Sequence, residues 1–97
     1  MKVLITGASS GIGRDMARYL ASKGYDLIVV ARRKNRLEEL KKELNVNVRI
    51  IELDLSNIDN AYKLYELTKD EDIDMLINNA GFGLFGNVLA TVFKCLI

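Results

Sequence analysis

Histidine is absent from the chain and cysteine occurs once, at Cys95. Without histidine, a Ser-His-Asp triad, a Cys-His dyad and any histidine-liganded zinc site are excluded within these residues. No metal site is expected. A single cysteine allows no internal disulfide and agrees with a cytoplasmic setting. Net charge is nearly absent as well: 14 basic and 13 acidic residues leave +1. That balance argues against a nucleic-acid groove and against a polybasic membrane patch. Long apolar runs are missing, since none approaches the ~18 residues of a membrane helix. Val3-Leu4-Ile5 gives way at once to Thr6-Gly7, unlike a secretory signal.

What is present is an ordinary globular composition, 49% hydrophobic and 28% charged, in 97 residues. That length suits one small domain with a modest core. Lys2-Val3-Leu4-Ile5 is a short apolar run that predicts a buried strand. Ile12, Met16, Ala17, Leu20 and Ala21 recur at helical spacing, and Gly24 suits a C-cap, so a helix is expected from about Gly11 to Lys23. Asp26–Ala31 is a second apolar run. A second helix follows near Lys34–Leu44, with Asn35 as candidate cap and Leu37, Leu40 and Leu44 as its stripe. Val48–Leu53 predicts a third strand. Ser56 or Asn57 can cap a third helix, with Ile58, Ala61, Leu64, Tyr65 and Thr68 on one side. Ile73–Ile77 completes four strands.

Strands alternating with helices through short connections imply βαβ units. The expected fold is α/β: four parallel strands in the order 3-2-1-4 with helices on both faces, half of a Rossmann-type doubly wound fold.

The first strand runs into Thr6-Gly7-Ala8-Ser9-Ser10-Gly11-Ile12-Gly13, which opens the first helix. Glycines let the backbone turn sharply and let a ligand approach the main chain. Unpaired N–H groups and the helix dipole favour an anion there, and Ser9 and Ser10 add donors. The competing explanation is a tight strand-to-helix turn with no ligand. The strand before and the helix after favour a nucleotide. About 20 residues past the glycines, dinucleotide folds meet the adenine ribose. That count lands on Arg32 and Arg33, where an acid would suit NAD and a base suits the extra phosphate of NADP. A solvated helix start is the alternative, but cations there oppose the helix dipole.

Glycines at 7, 11 and 13 form T-G-x-x-x-G-x-G, and Asn78-Asn79-Ala80-Gly81 follows the fourth strand. In that order the two motifs resemble the short-chain dehydrogenase/reductase family, over residues 1 to about 86. The P-loop and the ordinary G-x-G-x-x-G have other spacings. Extended relatives place the middle glycine one position earlier, at what is here Ser10. The resemblance implies that Gly7, Ser9, Ser10, Gly11, Ile12 and Gly13 hold the cofactor's phosphates. It implies that Ala31 followed by Arg32 and Arg33 prefers NADP over NAD. Asp54 and Leu55 would approach the adenine, although Asp54 equally suits an Asx-type helix start. Asn79, Ala80 and Gly81 would lie against the cofactor.

The family's catalytic serine, tyrosine and lysine lie beyond the N-N-A-G motif, so no catalytic residue is expected among these 97. Tyr19 with Lys23 and Tyr65 with Lys69 repeat the Tyr-x-x-x-Lys spacing but precede that motif, as helix-surface pairs. The expected domain is 1–86, and 87–97 is an apolar tail with the spacing of a helix, or the product of a truncated or frame-shifted gene. The expected function is the cofactor-binding half of an NADP-dependent reductase, inactive alone. The alternatives are a stand-alone nucleotide-binding module and a non-functional truncation product. The expected partners are a small-molecule dinucleotide and further copies of the chain, associating through the exposed edge of the fourth strand.

Overall fold

A computed structural model describes residues 1–8, 11–54, 56–57 and 59–78, with Asn78 as backbone only. Along the chain run β1 (Lys2–Thr6), α1 (Gly11–Ser22), β2 (Asp26–Ala31), α2 (Lys34–Glu43), β3 (Val48–Glu52), α3 (Asp59–Thr68) and β4 (Met75–Asn78). The strands form one parallel sheet in the order β3-β2-β1-β4. This is the expected order. Each crossover carries a helix, as parallel neighbours require.

The apolar runs are continuous because both faces of the sheet are covered. Side chains alternate between those faces. Val3, Ile5, Leu27, Val29, Ala31 and Val48 share a core with Ala17 and Leu20 of α1 and Leu37 and Leu40 of α2. Leu4, Ile28, Val30 and Ile51 face the other way and pack with Ala61 and Leu64 of α3. Ile5, Leu27 and Leu40 are buried almost completely. Each such side chain contributes about 1.5–3 kcal/mol relative to exposure.

Helix ends follow local rules at some places and tertiary ones at others. At the end of α1 the Tyr25 amide donates to the Leu20 carbonyl at 3.2 Å, and the Gly24 amide to Ala21 at 2.9 Å. Gly24 has φ +85°, and these two bonds make a Schellman cap. Asn57 caps α3 as expected, its Oδ1 accepting the Asp59 amide at 3.0 Å. Asn35 does not cap α2. The cap position belongs to Arg33, whose side chain makes no cap bond, and Asn35 lies inside the first turn. Ile12, at helical spacing with Ala17 and Leu20, is 70% exposed in the first turn of α1, ahead of the turn where the helix meets the sheet.

Two strand boundaries differ from the periodicity. β3 ends at Glu52, before Leu53. β4 begins at Met75 because Asp74 is held at the start of β1: its amide donates to the Lys2 carbonyl at 2.8 Å, and its Oδ2 accepts the Lys2 amide at 2.8 Å. Ile73 is buried all the same. On α3, Tyr65 stands at the rim and is 36% exposed, whereas Ala61, Leu64 and Thr68 are buried. Ile58 and the 87–97 tail lie outside the described residues.

Candidate functional site at the carboxyl edge of the sheet

In a parallel sheet every strand points the same way, so all carboxyl ends meet at one edge, where a crevice forms. Here that edge gathers Thr6-Gly7, Ala31-Arg32-Arg33, Asp54 and Asn78, through the registers Thr6↔Val30, Thr6↔Asn78 and Ala31↔Glu52.

The turn after β1 is held from below. The Gly7 amide donates to the Val30 carbonyl at 2.8 Å, and Thr6 and Ala8 are fully buried. Gly7 and Gly11 have φ of 69° and 60°. A Cβ built on Gly11 meets nothing within 4 Å, so its surroundings are open and only its backbone conformation demands glycine. Gly13 is buried in the first turn of α1, a turn with no acidic residue to neutralise the helix dipole. Left-handed backbone at Gly7 and Gly11, open space around Gly11 and a first turn without an acidic residue fit a pyrophosphate. Ser9 and Ser10 lie outside the described residues.

At the end of β2, Ala31 is buried and its methyl offers no acceptor, while Arg32 and Arg33 are exposed. The first turn of α2 also lacks an acid of its own. One arrives from β3: Glu52 Oε2 accepts the Lys34 amide at 3.2 Å. Sequence inspection missed Glu52. Its register pairing with Ala31 could have revealed it, given the sheet order.

Asp54, just past β3, satisfies the Asx alternative. Its Oδ1 accepts the Ser56 amide at 3.0 Å and the Ser56 hydroxyl at 2.6 Å. The Asn60 side chain closes the turn by donating to the Asp54 carbonyl at 2.6 Å. The Ser56 hydroxyl, then its amide, hold the Asp54 carboxyl below the usual aspartate range, and the Arg32 charge adds to the effect. Arg32 and Asp54 are thus brought within electrostatic reach of one another. Leu55, Asn79, Ala80 and Gly81 lie outside the described residues.

The two Tyr-x-x-x-Lys strings lie at helix surfaces, and the first makes a Tyr–Lys contact. Lys23 Nζ lies 5.5 Å from the centroid of the Tyr19 ring, and Lys69 pairs with Glu66 at 3.0 Å. Among the described residues no cluster of three or more carboxylate or thiol side chains could hold a metal ion, and no helix is long and apolar enough to cross a membrane.

Comparison with known proteins extends this picture. The family model for short chain dehydrogenase matches residues 1–94. An uncharacterised oxidoreductase of Mycobacterium tuberculosis is 45% identical over 89 residues, which cover 84% of this chain and 35% of that protein. The NADP-dependent 3-hydroxy acid dehydrogenase YdfG of Escherichia coli is 40% identical over 86 residues, covering 87% of this chain and 35% of that one. Among solved structures, the bulky-bulky ketone specific alcohol dehydrogenase of Comamonas testosteroni superposes with a TM-score of 0.85 at 30% identity, covering 97% of this chain and 48% of that one. The chain therefore spans about a third of the length of these curated relatives (35% of each). With its glycine turn, its strand order and a match over nearly all its residues, the chain belongs to the short-chain dehydrogenase family.

Proposed function

We propose that this chain is the cofactor-binding part of a cytoplasmic NADP-dependent oxidoreductase that moves hydride between nicotinamide and a carbonyl or alcohol carbon. Residues 1–86 form the binding domain in this reading. The backbone of Gly7, Ser9, Ser10, Gly11, Ile12 and Gly13 holds the pyrophosphate, and Arg32 and Arg33 hold the ribose phosphate. Asp54 and Leu55 flank the adenine, and Asn79, Ala80 and Gly81 border the nicotinamide side. When bound, NADP supplies the hydride acceptor; the chain's own residues bind, orient and select it.

The observation that carries the preference for NADP is Arg32 and Arg33, exposed beside a buried Ala31. A guanidinium pairs with phosphate through two parallel donors, and a methyl group offers the hydroxyls of NAD no acceptor. The NADP dependence of the E. coli relative supports the same choice.

The chain turns over no carbonyl substrate by itself. Reduction needs a proton donor within about 2.6–3.2 Å of the substrate oxygen. Tyr19 lies on α1, Tyr62 and Tyr65 on α3, and Tyr25 precedes β2 at the opposite end of the sheet from the glycine turn.

Calorimetric titration of the chain with NADPH and NADH tests the selection. A charge-assisted bond to phosphate contributes ~1.5–3 kcal/mol, so a preference of roughly tenfold or more is expected. Arg32→Asp should reduce or reverse it. Equal affinities, or a preference that Arg32→Asp leaves intact, would remove the reading.

A further inference from the structure

We propose that Glu52 is a positioning residue for cofactor selection: from β3 it clamps the two-residue turn that carries Arg32 and Arg33. The proposal rests on the reading of those arginines as the phosphate-binding pair.

The clamp is visible at both ends of the turn. Before Arg32, the Ala31 carbonyl accepts the Leu53 amide at 3.1 Å. After Arg33, the Lys34 amide donates to Glu52 Oε2 at 3.2 Å. Both partners come from the single dipeptide Glu52-Leu53. Arg32 and Arg33 therefore lie between two bonds to the end of β3 and the residue after it. The Arg33 carbonyl adds a third restraint, accepting the Arg36 and Leu37 amides at 3.2 and 3.3 Å.

The helix itself supplies no substitute. Arg33, at the cap position, has extended backbone (φ −108°, ψ 90°) and no side-chain cap bond, and no acidic residue occupies the first turn. A helix start normally takes a serine, threonine, aspartate or asparagine to satisfy its amides. Here two cations occupy that start, against the dipole. A carboxylate brought from the neighbouring strand satisfies an amide and opposes the dipole without using a position in the turn. The turn is thereby left to the arginines.

Alternation of side chains explains why Glu52 reaches this spot. Val48 and Ile50 pack into the core shared with α1 and α2, and Glu52 continues that face two residues on. Arg49 points the other way and donates to the Leu67 carbonyl of α3 at 3.1 Å.

Long arginine side chains lose rotamer freedom on binding, and a fixed backbone beneath them limits what else must be ordered. The negative charge of Glu52 opposes a phosphate, but the side chain is exposed and solvent and salt screen it. Positioning is the larger effect.

Two variants of the chain separate positioning from charge. Glu52→Gln keeps a carbonyl acceptor and loses the charge; Glu52→Ala loses both. Two quantities are read: exchange of the Lys34 amide by NMR, and the ratio of NADPH to NADH affinity by titration. In Glu52→Ala the Lys34 amide should exchange about 3- to 10-fold faster and the ratio should fall about 3- to 10-fold, the loss expected for one hydrogen bond. In Glu52→Gln both should stay within about twofold of the unsubstituted chain. Unchanged amide exchange and ratio in Glu52→Ala would overturn the proposal. So would a raised ratio in both variants, which would make Glu52 a mere opposing charge. A selective loss of NADH affinity in both would instead make Glu52 a ribose acceptor, and would also overturn it. Equal NADPH and NADH affinities in the unsubstituted chain would sink the NADP reading itself, and amide exchange would still decide whether Glu52 holds the turn.

Discussion

Gly11→Ala and Gly24→Ala form a matched pair that isolates the nucleotide role of the first turn. Both glycines have left-handed backbone, φ +60° and φ +85°, and a Cβ added to either meets nothing within 4 Å. Steric overlap therefore adds nothing at either position, and the cost is conformational. An L-residue in this region costs roughly 1–2 kcal/mol. Alanine also restricts the unfolded chain, which returns about 0.4–1 kcal/mol. Each variant should thus lose about 1 kcal/mol. For a chain of 97 residues that corresponds to a fall in Tm of roughly 4–8 °C. The two should part company in ligand binding. Gly24 caps α1 at the far end from the glycine turn, whereas Gly11 belongs to the turn itself, where left-handed backbone is read as part of the phosphate cradle. Gly11→Ala should weaken NADPH by about tenfold or more, the equivalent of one charge-assisted hydrogen bond. Gly24→Ala should leave the affinity unchanged. Thermal denaturation and calorimetry of both variants make the check. Equal NADPH affinities in the pair would refute the assignment of the first turn as the phosphate cradle. A Tm loss far larger at Gly11 would refute the claim that its surroundings are open.

Two further outcomes follow from the structure. Burial pushes the Glu71 carboxyl up, but hydrogen bonds from Lys2 (3.1 Å) and Arg49 outweigh it, and the group sits below the ordinary glutamate value of 4.5. A depressed carboxylate stabilises the fold above its unfolded pKa and loses that contribution as pH falls through the folded one. Glu71→Gln should therefore lower Tm at pH 7, and its deficit should shrink as pH falls below 4.5; a deficit independent of pH would refute the ionic role. Tyr19→Phe keeps the ring under Lys23 and should change stability by less than about 0.5 kcal/mol, with NADPH affinity intact. Altered affinity in a titration would reject the surface-pair assignment.

The sheet was legible because its information is local and redundant. Four short, β-branched-rich apolar runs alternating with helical stripes favour buried strands, and right-handed crossovers leave few orders for them. The Gly24 cap and the Asn57 cap were legible for the same reason: the residue that solves the problem sits next to it. Ile12 shares the helical spacing of Ala17 and Leu20 yet is exposed, because spacing cannot tell the turn that meets the sheet from the turn that precedes it.

By itself the sequence determined the strand and helix segments, the glycine turn and the arginine pair, since each depends on residue type and near spacing. Tertiary structure alone decided how the arginine turn is held. Asn35 was the nearest residue able to cap α2, yet the acceptor is Glu52, 18 residues away, because pairing of β2 with β3 sets it beside Ala31. Asp54 is the local counterpart: its Oδ1 accepts from Ser56 two residues on, the Asx-type helix start that its residue type already allowed. A hydrogen bond is selected by distance in space, and distance along the chain predicts that only within a turn or two.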